Sequence, residues 1–346
     1  MLGLLKNTWL GLALITLASA LLLVSDLDRR QAAVPPVENK KLPRLAVMQW
    51  VSTDLLDRTV AGILEGLKQQ GFEDGKTASI RFYNAAGDIA TANMMAKEVT
   101  SGGYDLVLTA STMALQSVAA ANRERGALHV FGAVTDPYNA GVGITGPAPD
   151  QHPPYMAGVG TFQPVGPAFR IAREMNPDLK RVGVVWNPSE DNSEACVRQA
   201  RTVCNELGIE LVEANCSNSS EVPEGVRSVL GRNVQAIWVG GDTVANAAIH
   251  SLIAVAGEAG IPLFSNDPND AARGALFGLG ASYQQVGVAV GDMGGQILRG
   301  ASPSTFGVAN LVPEVLALNE TLASTLPGWT ISDELRKRAR DSARKS

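Results

Sequence analysis

The chain has 346 residues, 45% of them hydrophobic, enough for two well-filled cores rather than one. A formal net charge of -5, with no basic stripe in the body of the chain, excludes nucleic acid as the natural partner. Three cysteines and three histidines (His129, His152, His250) without close spacing leave no zinc motif, and no cofactor is expected.

Lys6 precedes an apolar run, Trp9 to Val24, which is followed by Asp26, Asp28, Arg29 and Arg30. Residues 1–30 therefore read as an export signal or a short N-terminal membrane anchor. Ala18-Ser19-Ala20 offers a cleavage site, but cutting there leaves Leu21 to Val24 on the mature protein, which favours the anchor. Residues 31–43 are polar and contain proline, as a linker does.

Short Val/Ile/Leu runs then alternate with helical patterns. Strands are expected over residues 44–51, 78–83, 106–108 and 128–133, with helices over 55–70, 89–100 and 113–122. After a Gly/Pro-rich stretch the alternation resumes with strands over 181–186, 209–214, 236–239 and 261–264, and helices over 193–207, 223–230 and 244–259. Continuous apolar strands alternating with helices call for parallel sheets covered on both faces. Cys196 and Cys204, on one predicted helix, lie roughly 12 Å apart, too far for a disulfide. Cys216 is left either bonded to one of them or free.

The two halves repeat each other. Leu108–Ser117 (LTASTMALQS) lies over Val239–Ala248 (VGGDTVANAA), which superposes Thr112 on Thr243 and Ala114 on Ala245. The same spacing brings Asp136-Pro137 onto Asp267-Pro268. Earlier in each half Arg44, Val47, Ser52, Asp54 and Gly71 match Arg181, Val184, Ser189, Asp191 and Gly208. The fold class is therefore α/β, with two pseudo-symmetric doubly wound parallel-sheet lobes and a cleft where the strand ends face each other.

Enzyme motifs are absent. Gly141–Gly146 fits G-x-G-x-x-G but runs into Pro147 and Pro149 instead of a helix, and Gly71–Lys76 is one residue short of a phosphate loop. No G-x-S-x-G is present, and no enzyme is expected. Polar residues at strand ends are the candidates instead: Gln49, Ser52, Ser111, Thr112, Thr135 and Asp136 in the first half, Asn187, Asp242, Thr243, Asn266 and Asp267 in the second. Helix capping and turn chemistry account for many such residues without a ligand. Asp242 differs from its counterpart Ser111 in carrying charge, so the cleft pairs a carboxylate on one side with hydroxyl and N–H donors on the other, as a zwitterion requires. Trp50, Phe162 and Tyr283 are candidates for its apolar walls.

Several stretches carry a family resemblance. They are Leu45–Asp57 (LAVMQWVSTDLLD), Asn84–Asp88 (NAAGD), Tyr104–Gln116 (YDLVLTASTMALQ), Ala133–Pro137 (AVTDP), Trp186–Ser193 (WNPSEDNS), Gly241–Ala245 (GDTVA) and the spaced Gly280, Tyr283 and Gly287. With Gly62, Gly66 and Gly71 they resemble the ABC transporter substrate-binding proteins of the tryptophan/tyrosine type, over residues 44–320. The resemblance implies a type I periplasmic-binding-protein fold with three crossing segments, near 158–163, 279–283 and 306–310. The first lobe would be 44–160 plus 284–306 and the second 161–283 plus 307–330, with a basic tail, 331–346, that reads as a solvated helix. It implies an extracytoplasmic receptor that passes an aromatic or branched amino acid to a permease driven by a separate ATPase. A membrane-tethered sensory binding protein is the alternative. By the same resemblance Asp242 would hold the ligand's amino group and the Ser111/Thr112 helix start its carboxylate, with Asn187 and Thr135 as further contacts. Two features depart from the family: no cysteine for lipid attachment lies near the apolar segment, and the insert Gly146–Tyr155 carries four prolines.

Overall fold

The computed structural model describes residues 41–310 and 314–344. The signal or anchor at Trp9–Val24, and the linker up to residue 40, lie outside the described residues. Within them no helix is long and apolar enough to cross a membrane.

The chain begins with β1 (Arg44–Gln49), α1 (Asp54–Gln69), β2 (Ser79–Asn84), α2 (Ile89–Val99), β3 (Leu106–Ala110), α3 (Thr112–Asn122), β4 (His129–Val134) and β5 (Met156–Gly160). It crosses to a second sheet through α4 (Val165–Met175), β6 (Arg181–Trp186), α5 (Asp191–Leu207), β7 (Glu210–Asn215), α6 (Val222–Leu230) and β8 (Ala236–Val239). There follow α7 (Thr243–Ala247), α8 (Ile249–Glu258), β9 (Leu263–Ser265), α9 (Asp270–Arg273) and β10 (Phe277–Gly280). The chain returns to the first sheet as α10 (Tyr283–Leu298) and β11 (Ala309–Asn310), then ends in the second as β12 (Val315–Leu318), α11 (Glu320–Ala323) and α12 (Asp333–Ala343).

The sheets have orders β11-β5-β4-β3-β1-β2 and β12-β10-β9-β8-β6-β7, the same order once β6–β10 are laid over β1–β5. All pairs are parallel except β10 with β12. The internal repeat falls on equivalent places: Arg44 and Arg181 open β1 and β6, Thr112 and Thr243 open α3 and α7, and Gly71 and Gly208 follow α1 and α5 with positive φ. Each lobe has its own core. In the second, Phe169 meets Trp238 and Phe264 edge-on, and Phe264 stacks on Phe277.

α1 and α10 pack with their backbones in contact. A Cβ on Gly62 would stand 2.1 Å from the Gln284 carbonyl oxygen, and one on Gly287 2.1 Å from that of Thr59. Gly66 and Gly291 are equally close to the facing backbone. No side chain larger than hydrogen fits in this seam.

The structure amends the sequence reading in several places. The helix expected over 244–259 breaks at Ala248 into α7 and α8, and the strand expected over 261–264 lies at Leu263–Ser265. The third crossing falls later than residues 306–310, because Ala309–Asn310 still pairs with β5. The tail is not a freely solvated helix: Leu335 is fully buried in the second lobe's core, and Arg336 pairs with Glu320. The cysteines Cys196, Cys204 and Cys216 are all free and buried.

Candidate functional site

In an open parallel sheet the order reverses between two neighbouring strands, and the loops there leave a crevice at the carboxyl ends. Here the reversals lie between β1 and β3 and between β6 and β8. α3 starts at the first and α7 at the second, and both starts line one cavity between the lobes, about 410 Å³ with its open mouth included.

Lobe 1 contributes the α3 start to this cavity. Ser111 has φ 108°, a conformation costly for a residue with a Cβ, and its Oγ accepts from the Ala114 N–H. Thr112 is 3% exposed and its Oγ1 has no hydrogen-bond partner. Ala133, at a bulge of β4, also has positive φ and lines the cavity. Thr135 and the first turn of α1 (Thr53, Leu55, Leu56) complete this wall.

Lobe 2 contributes Asp242, Thr243, Asn246, Gly241 and Asn192. Asp242 is buried, and its carboxylate accepts from Ala245 N at 2.6 Å, Asn187 N at 2.6 Å and Ser193 Oγ at 2.5 Å. Burial raises its pKa above the usual carboxylate range against the pull of those donors. The floor comes from the two crossing segments: Gln163 Nε2 donates to the Tyr283 hydroxyl at 3.0 Å. Nearby, Phe162 N donates to Asn310 Oδ1 at 2.6 Å.

A second, wider chamber of about 1100 Å³, open mouth included, shares Thr243 with the first. Trp50, Ile89, Met113, Asn187, Glu190 and Val244 are among its walls. Burial first, and then Asp242, push Glu190 up to about 7.

Of the sequence candidates, Ser111, Thr112, Thr135, Asp242, Thr243 and Tyr283 come together around the first cavity, and Trp50 and Asn187 line the second. Asp136 lines an adjoining crevice, where its carboxylate accepts from Asn139. The other five lie apart from these cavities, Asp267 among them through its pairing with Arg58. Gln49 faces an outer groove beside Phe82, and Ser52 donates to Asp57. Phe162 belongs to the crossing segment, and Asn266 spends its side chain on Trp238 and the Leu279 carbonyl. Gln163, Asn246 and Glu190 were not singled out from the sequence. The only signal for Gln163 was its place at the end of the expected first crossing, and Glu190 sits in a loop that reads as a helix start.

Contacts between the lobes flank the site. Arg58 of α1 pairs with Asp267, Arg273 with Asp54 at 2.5 Å, and Gln116 donates to Asp191 at 2.5 Å.

Residues 44–343 match the family described as ABC transporter substrate binding protein. The chain belongs to this family. This substrate-binding protein is 27% identical over 289 residues to a tyrosine-binding protein of Clostridioides difficile (strain R20291), covering 84% of this chain and 82% of that protein. A solved Streptococcus domain in complex with L-Trp is 26% identical with a TM-score of 0.78, covering 86% of this chain and 99% of that one. The ligand-free, open structure of a Clostridium difficile substrate-binding protein is 27% identical with a TM-score of 0.62, covering 85% and 97%. At nearly equal identity this chain superposes better on the L-Trp complex than on the open form, in keeping with the ion pairs that join its lobes.

Proposed function

We propose that this substrate-binding protein captures an amino acid, of the aromatic class, between its two lobes and delivers it to the permease of an ABC transporter on the extracytoplasmic side. The observation that carries the reading is the pairing across one cavity of the α3 start, with its unpartnered Thr112 hydroxyl, and the buried carboxylate of Asp242. A helix N-terminus with spare donors suits a carboxylate, and a carboxylate opposite suits an ammonium, so the two poles match those of a zwitterion. Leu55, Leu56 and Tyr283 give the apolar surface a side chain needs. The tyrosine- and tryptophan-binding relatives support the aromatic class.

No covalent chemistry is involved: the ligand stabilises the closed arrangement only as far as it binds that arrangement better than the open one. Thermal unfolding against a panel of amino acids tests this. A true ligand at about 100 times its Kd adds ~2.7 kcal/mol and raises Tm by several degrees. A panel without any shift would overturn the amino-acid assignment.

A further inference from the structure

The second chamber contains a buried carboxylate that caps the start of α7 through one oxygen alone. Glu190 is 3% exposed, yet among the described residues no cation pairs with it. Its three donors, the Thr243 N–H at 2.9 Å, the Thr243 hydroxyl and Asn192 Nδ2 at 3.2 Å, all meet Oε2. None of them meets Oε1. With its internal donors all on Oε2, the carboxylate keeps Oε1 free of them, and a donor brought by a ligand could be accepted there.

The surroundings narrow what that donor is attached to. Trp50, Ile89, Met113 and Val244 present apolar surface in the same chamber. Among the described residues, neither chamber is lined by a lysine or arginine, so no cationic side chain there would draw an anionic ligand tail. Thr243 borders both chambers, so the two adjoin at the start of α7.

We infer that Glu190 is a specificity-determining residue: the ligand's aromatic side chain extends past Thr243, and the donor at its far end, a phenol O–H or an indole N–H, is accepted by Glu190 Oε1. This rests on the amino-acid reading above and adds the group that separates donor-bearing aromatic amino acids from those without one. Sites built to receive a donor discriminate against analogues lacking it far more sharply than apolar pockets discriminate by size.

The test is calorimetric titration of the full chain with L-tyrosine, L-tryptophan, L-phenylalanine and L-4-fluorophenylalanine, the last close to tyrosine in size but without the donor. The wild type should bind tyrosine or tryptophan at least about tenfold more tightly than both donorless analogues, as one charged hydrogen bond allows. In Glu190→Gln the amide oxygen takes over the donors of Thr243 and the NH2 group replaces Oε1, so a donor faces a donor. The preference should then shrink to about twofold or less, with phenylalanine affinity held. A wild type that binds neither tyrosine nor tryptophan more tightly than 4-fluorophenylalanine would overturn the inference, whether or not the variant folds. So would a uniform loss across all four ligands in a variant of unchanged Tm, which is the mark of a purely structural role at the start of α7. A wild type that binds none of the four overturns the aromatic amino-acid reading as well, whereas binding without preference overturns this inference alone.

Discussion

The Arg58 guanidinium of α1 pairs with the Asp267 carboxylate of the second lobe, joining residues that belong to different sheets. Asp267 is almost wholly buried, and Arg273 stands between it and Asp54 of the first lobe. The contact exists only while the lobes are together, so it favours the closed arrangement. Arg58→Ala should weaken ligand binding about 5- to 150-fold, the usual span of a coupling between a conformational change and a site. Titration calorimetry reads the affinity, and solution scattering of the ligand-free protein should show a larger radius of gyration. Unchanged values in both would mean the pair is incidental to closure.

Thr112→Val separates binding from folding at the α3 start. The hydroxyl is buried without a partner, so its removal should leave ligand-free stability unchanged or raise it by up to about 1 kcal/mol. Ligand affinity should fall about 10- to 150-fold, the share of one hydrogen bond to a charged group. Denaturant unfolding and calorimetry on the same preparation give both numbers, and a loss of stability without loss of affinity would contradict the assignment.

The seam between α1 and α10 predicts a large cost for one methyl group. Gly62→Ala should destabilise by about 2–3 kcal/mol, since the new carbon meets backbone that cannot turn away. Gly71→Ala is the comparison: its φ is +89° with nothing within 4 Å, and only the conformational penalty, about 1 kcal/mol, should remain. Urea midpoints measured side by side decide it; similar losses at the two sites would mean the helices can separate.

His129 sets a pH dependence of known sign. It is fully buried, its Nε2 meets Thr109 Oγ1 at 2.9 Å, and burial holds its pKa at about 3 against an ordinary 6.5. As pH falls below 6.5 the unfolded chain takes up a proton that the folded one refuses, so stability declines from there toward about pH 3. His129→Gln should cost about 1–3 kcal/mol at pH 7 and flatten the decline between pH 6 and 4. Parallel pH profiles for variant and wild type would assign the decline to other groups.

The duplicated architecture was legible because the repeat is written in residues that the fold uses twice: strand-opening arginines, helix-opening threonines and post-helical glycines. What stayed hidden depends on contacts between distant segments. α10 carries Gly287, Gly291, Gly294 and Gly295, a poor helix by local propensity, and it is helical because α1 packs against it. β12 and α12 complete a lobe begun far earlier in the chain. At the site, strand-end position indicated Ser111, Thr112, Asp242 and Thr243, but the same rule also selected Asn266, which is consumed by Trp238. Glu190 could not be picked out locally, since its burial is produced by the start of α7, across the sheet from its own helix.

The close fit of α1 against α10 also has a mechanical meaning. Thr53, Leu55 and Leu56 at one end of α1 face the cavity, and Tyr283 is the first residue of α10. Joined along their glycines, the two helices act as a single stiff lever that carries a wall of the cavity and part of its floor together. Bending that opens the lobes then falls on the residues at the first two crossings: the stretch from 161 to 164, and Ala281 with Ser282. Ligand touching any part of that lever loads both at once.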